Sequence, residues 1–412
     1  MNDKDISVVR ELARKYREIA ADERNDERRQ RMSDTNDLKT GLRPPVWINE
    51  VPWHEFASYP EMAMVCEDPF LRGMEGHFRR KLFQWEHFQV DMVAEPFYPV
   101  GKCFSCTGFG IEMQENIVKT DEKNNIVSHQ YIDVIPTEED LEKITPPVVT
   151  VHEEETQKNL AMVQEVLGDI LPTRLVGAGI YCAYWDQIPR FRGVETVLYD
   201  MMDRPEFIHA IVKKFSDWHR QYQDQLEEYG LLEPYRSDLH CTPGYTSQLP
   251  QKDYNGKARL KDVWFRGMAQ MLNTVSPQMF VEFELDYMRP LMERCGLVYY
   301  GCCEPLDTRI PYLIQIPNMR KLGVSPWSDV ECCAEQLGSR FVAARKPNPA
   351  LVAISTDEDE VARETEKTIQ ACLKNNCPYE FVLKDISTVS GKLDNLVRWS
   401  NAVQRTIDKY YC

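Results

Sequence analysis

Leu297-Val-Tyr-Tyr-Gly-Cys-Cys-Glu-Pro-Leu-Asp-Thr-Arg309 begins as a short apolar run, stops at a glycine, and continues into two thiols, a carboxylate and a proline-marked loop. A buried strand that ends where reactive side chains begin is the signature of an α/β scaffold, on which chemistry sits at strand-to-loop junctions. Working outward, eight such apolar runs can be picked out, at 45–49, 88–94, 174–180, 234–239, 297–301, 321–324, 341–344 and 379–383. Helical patterns lie between most of them. One spans 194–229 and should break near Arg204-Pro205; others cover 277–294, 328–337, 357–375 and 391–410. Strands alternating with helices imply parallel pairing through crossovers. Eight units after residue 41 predict a (β/α)8 barrel spanning 41–412. An open doubly wound sheet is the competing architecture, but no Gly-x-Gly-x-x-Gly follows the first strand.

The 412 residues carry a net charge of −16, which excludes a basic nucleic-acid footprint and adhesion to anionic lipid. No stretch approaches the roughly 20 apolar residues of a membrane span. The start, Met-Asn-Asp-Lys-Asp, has no apolar signal region, so a cytoplasmic location is expected. Thirteen irregularly spaced cysteines then read as thiols or ligands in a reducing compartment.

Residues 1–40 read as an N-terminal helical arm. Ile6, Val9, Leu12, Ala13, Tyr16, Ile19 and Ala20 recur at helical spacing, a stripe that docks on the body or on a second subunit. The stretch 22–39 is almost wholly polar and reads as a linker or a frayed helix end. An insertion at about 103–136 reads as a β-hairpin around Thr120-Asp-Glu-Lys-Asn124. The Cys103-Phe-Ser-Cys106 pair precedes it without a thioredoxin-type unit. His77 and His87 lie in an aromatic cluster and read as packing.

In a barrel the C-terminal strand ends share one mouth. Collecting them gathers Glu50, Asp91, Glu95, Tyr181, Tyr184, Trp185, Asp186, Asp238, His240, Cys241, Cys302, Cys303, Glu304, Trp327, Lys346, Asn348, Lys384 and Asp385. Strand alternation puts Tyr300, Cys302 and Glu304 on one face, and Asp238 with His240 on one face opposite Cys241. A mixed sulfur, nitrogen and oxygen set of Cys302, Cys303, Glu304 and His240 suits Zn²⁺. The bland alternative is that the cysteines are small buried hydrophobes. The many carboxylates favour a neutral or cationic ligand.

Further motifs are Gly177-Ala-Gly-Ile180 with Phe191-Arg-Gly193, Arg204-Pro-Glu206, Val275-Ser-Pro-Gln-Met-Phe280, Lys346-Pro-Asn-Pro-Ala-Leu351 and Asp394-Asn-Leu396. In that order, over roughly residues 40–405, the chain resembles the uroporphyrinogen decarboxylase superfamily, and within it the zinc-dependent, corrinoid-linked methyltransferases. The decarboxylases look to carry Arg-Gln-Ala-Gly-Arg after the first strand, where this chain has Asn49-Glu-Val-Pro-Trp-His54. The methyltransferases hold zinc with a His-x-Cys pair ending the fifth strand and a cysteine ending the last. This chain has Tyr300-Gly-Cys302 and the neighbourhood of Lys384-Asp385 at those places, so the cysteine is kept and the other two ligands differ.

The resemblance implies a methyltransferase that moves a methyl group from a small methylated compound to a corrinoid protein or a thiol. Zinc and a corrinoid on a partner protein would be the cofactors, and a homodimer the assembly. Catalytic roles then fall to His240, Asp238 and Glu50, and substrate contacts to Tyr181, Tyr184, Trp185, Trp327, Lys346 and Asn348. A cofactor-independent carboxy-lyase and a non-catalytic ligand-binding barrel are the alternatives.

Overall fold

A computed structural model describes residues 2–119 and 127–411. Its centre is a parallel seven-stranded sheet. In chain order the strands are β1 (Val46–Ile48), β2 (Ile180–Cys182), β3 (Trp264–Gly267), β4 (Leu297–Tyr300), β5 (Met319–Val324), β6 (Val342–Arg345) and β7 (Tyr379–Leu383). Across the sheet they run β1-β7-β6-β5-β4-β3-β2. The fold is thus mixed α/β with parallel pairing, and among the described residues strand pairing does not close it into a ring. The second expected run, 88–94, is extended but forms no strand of the sheet. Asp91 N–H donates to Val46 O at the β1 edge across 2.7 Å. A separate parallel pair joins Tyr98–Gly101 to Thr173–Val176.

The fourth expected strand is corrected. Residues 234–239 make loop and bridge structure, and the strand beside β4 is β3. Trp264-Phe-Arg-Gly267 escapes a search for apolar runs because it holds an arginine at its centre, yet all four residues are buried.

Helices α1 (Asp3–Ala20), α2 (Arg24–Asn36), α3 (Pro69–His87), α4 (Pro205–Glu228), α5 (Val330–Leu337), α6 (Glu358–Lys374) and α7 (Leu393–Asp408) are among its helical supports. The break before α4 falls at Arg204, as the proline predicts. α1 buries Val9, Leu12, Ala13 and Tyr16, and it packs on α3 within the chain.

The linker expectation for 22–39 is overturned, because α2 is regular from Arg24 to Asn36. Its polar side chains do the fastening. Arg28 donates to Met92 O, Arg31 pairs with Asp91, and Asn36 donates to Pro243 O and Tyr245 O. A polar helix reads as a linker because hydropathy cannot see contacts made through charge. In the insertion, Gln114–Val118 pairs antiparallel with Ser128–Ile132; most of its expected turn, from Thr120 onward, lies outside the described residues. No helix among the described residues is long and apolar enough to cross a membrane.

Candidate thiol and imidazole site

One row of the sheet organises the site. Tyr181, Arg266, Tyr299 and Lys321 lie in register across β2, β3, β4 and β5. Residues in one row point to one face, so ring and cation alternate there. The Arg266 guanidinium carbon lies 5.0 Å from the Tyr181 ring centre and 5.4 Å from that of Tyr299. Arg266 is only 2 % exposed, its Nε and one terminal nitrogen have no hydrogen-bond partner, and its other terminal nitrogen lies 3.7 Å from the Cys241 sulfur. A buried guanidinium without a carboxylate is costly unless something neighbouring carries negative charge.

The turn 238–243 packs on this face. It closes with Leu239 N–H to Thr242 O and an antiparallel bridge between Asp238 and Pro243. The buried Lys321 ammonium donates to Thr242 Oγ1 at 2.9 Å, to Pro243 O at 3.1 Å and to Glu380 Oε2 on β7 at 2.9 Å. Thr242 in turn donates to Glu380, and Trp264 donates to Gly244 O at 2.9 Å. Burial pushes Lys321 down to about 8 while Glu380 pulls it up.

So fastened, the turn holds His240 at φ +57° and Cys241 at φ +58°. Two successive non-glycine residues in the left-handed region store strain on the order of 1–3 kcal/mol each. Glu50 and Asp385 share that conformation, so four of the seven such non-glycine residues described in the chain meet at this site. Strain concentrated in one place marks function more often than accident.

His240, Cys241 and Cys302 bring one nitrogen and two sulfurs within 4.8 Å of one another. Cys302 arrives because β4 ends at Tyr300 and Gly301 turns the chain at φ +105°. A Cβ at Gly301 would lie 2.7 Å from Leu306 and 3.2 Å from the Gly323 backbone nitrogen, so glycine is required. The expected alternation of Tyr300, Cys302 and Glu304 therefore fails at that glycine. Tyr299 faces the site, whereas the Tyr300 hydroxyl donates to Glu284 on the far side.

The Cys303 sulfur lies 3.6 Å from that of Cys302 and 2.8 Å from Asp385 Oδ2. The Lys384 ammonium reaches both sulfurs, at 2.9 and 3.2 Å.

Contact with Cys302 and burial push the Cys241 thiol up to about 12. Cys302 also sits above the usual thiol range: the Cys241 contact pulls it down, while Cys303 and burial push it up. Burial opposes charge on Lys384, but the Cys302 and Cys241 sulfurs outweigh it and raise its pKa. Burial also lowers His240, which keeps its imidazole neutral and able to coordinate. Two soft sulfurs and one neutral imidazole fit the borderline-soft Zn²⁺ ion, with its fourth position open.

The other expected residues divide. Asp238 accepts from the His240 backbone N–H at 2.7 Å and shapes the turn. Glu50 Oε2 accepts from Asp385 N–H at 2.8 Å, and burial raises its pKa. Tyr181 stacks near His240, 5.4 Å between ring centres. Lys346 donates to Cys241 O and lies 5.6 Å from the Tyr299 ring.

Glu304 is corrected as a ligand. It is buried and receives the backbone N–H groups of Cys302, at 2.8 Å, and Ala269, at 3.4 Å, so it fixes the loop from behind. Tyr184 and Trp185 are corrected as wall residues. Both are fully buried and donate to the backbone oxygens of Glu284 and Phe283, because they begin a helix that packs on the core. Trp327 stands 72 % exposed on the loop after β5. Asn348 uses its side-chain oxygen to receive Ala350 N–H and start a short helical turn. Arg266 is absent from the sequence reading, and Cys241 appears there only among the strand-end residues, not with the candidate ligands His240 and Cys302 that it joins in space. The signal for Arg266 was a lone arginine between Phe265 and Gly267.

No family model and no curated protein match the sequence. Among solved structures, a methyltransferase from Methanosarcina mazei is similar at 11 % identity and a TM-score of 0.47, over 93 % of this chain and 99 % of that one. A likeness that faint fixes neither fold nor activity.

Proposed function

We propose that the chain is a metal-assisted methyltransferase that moves a methyl group from a small methylated compound to a corrinoid on a partner protein or to a thiol. The observation that carries this reading is the convergence of His240, Cys241 and Cys302 within 4.8 Å on a strained turn. Zinc held there would supply Lewis acidity toward the heteroatom that loses its methyl group. The chain's own residues do the rest. Lys384 offsets negative charge on Cys302 and Cys303, Asp238 holds the His240 backbone, and Tyr181 covers the imidazole. Glu50, raised by burial, is placed to hold or release a proton beside Asp385.

The same reading takes the sheet as a (β/α)8 barrel whose second station is the extended run through Asp91, and it includes assembly as a dimer. The test is metal analysis of protein purified without oxygen, followed by methyl transfer from a panel of methyl ethers and methylamines to free cob(I)alamin, kept reduced by titanium(III) citrate, with the demethylated alcohol or amine as the second product. About one zinc per chain and methylcobalamin formation are the expected results; a metal-free protein that forms none refutes the proposal.

A carboxy-lyase is the second reading, favoured by the buried cations Arg266, Lys346 and Lys384 beside the thiols. Release of CO₂ from a small acid without metal would select it.

A further inference from the structure

A cleft of about 940 Å³ opens between the end of β1, the loop that follows it and α3. Its apolar wall includes Trp53, Met62 and Met64, and α3 contributes Arg80 and Lys81. Neither cation has a hydrogen bond or ion pair among the described residues; Arg80 only overlies the Trp53 ring at 5.7 Å. Lys81 also lines the adjoining cavity of about 270 Å³, together with Asp238 and Glu95.

Those acids are occupied elsewhere. Asp238 accepts from His240 N–H, and Glu95 accepts from the Tyr245 hydroxyl and pairs with Arg29 at 3.3 Å. Glu50, which also lines the cleft, accepts from Asp385 N–H. The buried Nε2 of His77, on the same wall, has no partner. Burial presses the Lys81 pKa down, against the pull of Asp238 and Glu95. An acidic chain has therefore set two cations that make no hydrogen bond at the edge of a cleft with mixed polar and apolar walls, where Asp238 and Glu95 offset Lys81 only at a distance and a low-dielectric wall focuses the remaining field.

We propose that this cleft binds an organic acid, its carboxylate on Lys81 and Arg80 and its apolar body against Trp53, Met62 and Met64. Glu50, on the cleft wall, accepts from Asp385 N–H, and Asp385 accepts from the Cys303 thiol, so this wall of the cleft is joined to the thiols by two hydrogen bonds. An organic acid replaces the neutral or cationic ligand expected from counting carboxylates in the sequence. The inference rests on the methyl-transfer reading only for what the end of the ligand remote from its carboxylate carries.

Calorimetric titration of the full chain with 4-methoxybenzoate and with 4-methoxybenzamide tests it. The acid should bind about a hundredfold tighter than the amide, about tenfold for each of its two charge-assisted pairs. Lys81→Gln and Arg80→Gln should each remove about tenfold of that preference and leave amide affinity unchanged, while Lys81→Arg keeps it. Equal affinity for acid and amide, no binding of either at about millimolar concentration, or an undiminished preference in the double glutamine variant would overturn the proposal. If the acid binds through Lys81 but no methyl group moves, the cleft stands and the methyl-transfer reading falls.

Discussion

The half of the molecule built from β3 to β7 and the half built from β1, α3 and residues 91–99 solve opposite problems. In the first, charge is packed tight. Lys321, Glu380, Arg266, Lys346 and Lys384 are all at most 2 % exposed, and each touches a thiol, an aromatic ring, the 238–243 turn or another charge. In the second, space is kept open. Strands are short or missing, the cleft of about 940 Å³ and its adjoining cavity lie there, and Arg80 and Lys81 line the cleft without an ion pair. The division teaches that reactive groups and room for a ligand need different construction. Buried charge needs neighbours on every side, whereas a binding cleft needs a wall that was never closed.

The first way to break the comparison is Cys302→Ser. It should lower zinc, measured by mass spectrometry, from about one per chain to under a tenth, with circular dichroism unchanged. Unchanged zinc would remove the ligand assignment.

Next in size is Lys321→Met, which strands Glu380 and Thr242 in the dense half. Breaking a buried pair on one side costs about 3–5 kcal/mol, to be read from denaturant unfolding. A loss below about 1 kcal/mol would mean the 238–243 turn is held by something else.

The third expectation concerns pH. Glu284, fully buried, is raised to about 8 from an ordinary 4.5 by burial, against the hydrogen bond its carboxyl receives from Tyr300. Its folded pKa lies above its unfolded one, so its contribution is fully present below about 4.5 and is lost as pH rises through about 8. Glu284→Gln should flatten the fall in stability across that window. An identical pH profile in wild type and variant would rule the shift out.

The smallest effect belongs to the open half. Lys81→Gln, which removes no contact, should leave unfolding free energy within about 0.5 kcal/mol of wild type. A larger loss would show that α3 is structural at that point and would sharpen where the open half ends.

Much of the dense half could be read from the chain, because β4 to β7 are mostly apolar runs, buried along nearly their whole length despite Lys321, Arg345 and Glu380, and their intervening helices α5, α6 and α7 have apolar stripes. The open half resisted for the complementary reason. Where a wall faces a cavity, residues such as Asp91 and Arg174 are polar without being loops, and the period-two signal disappears. At the site, residue type and position point to Cys302, Cys303 and His240, and the structure sets His240 near Cys302 and Cys303 beside it. Cys241 was placed on the opposite face because strand alternation was applied to a turn, where two left-handed residues swing both side chains to one side. Arg266 was missed because a buried charge looks like a surface one in a string of letters.

Glu380, Lys384 and Asp385 all ride on or just beyond the last strand, while the groups they complete, Thr242 and Cys302 with Cys303, are made much earlier. During synthesis the thiols therefore leave the ribosome without their counter-charge and without the clamp on their turn. Until β7 docks between β1 and β6, the nascent chain offers loose cysteines rather than a geometry that could select an ion, so the metal loading proposed above would belong to the finished protein.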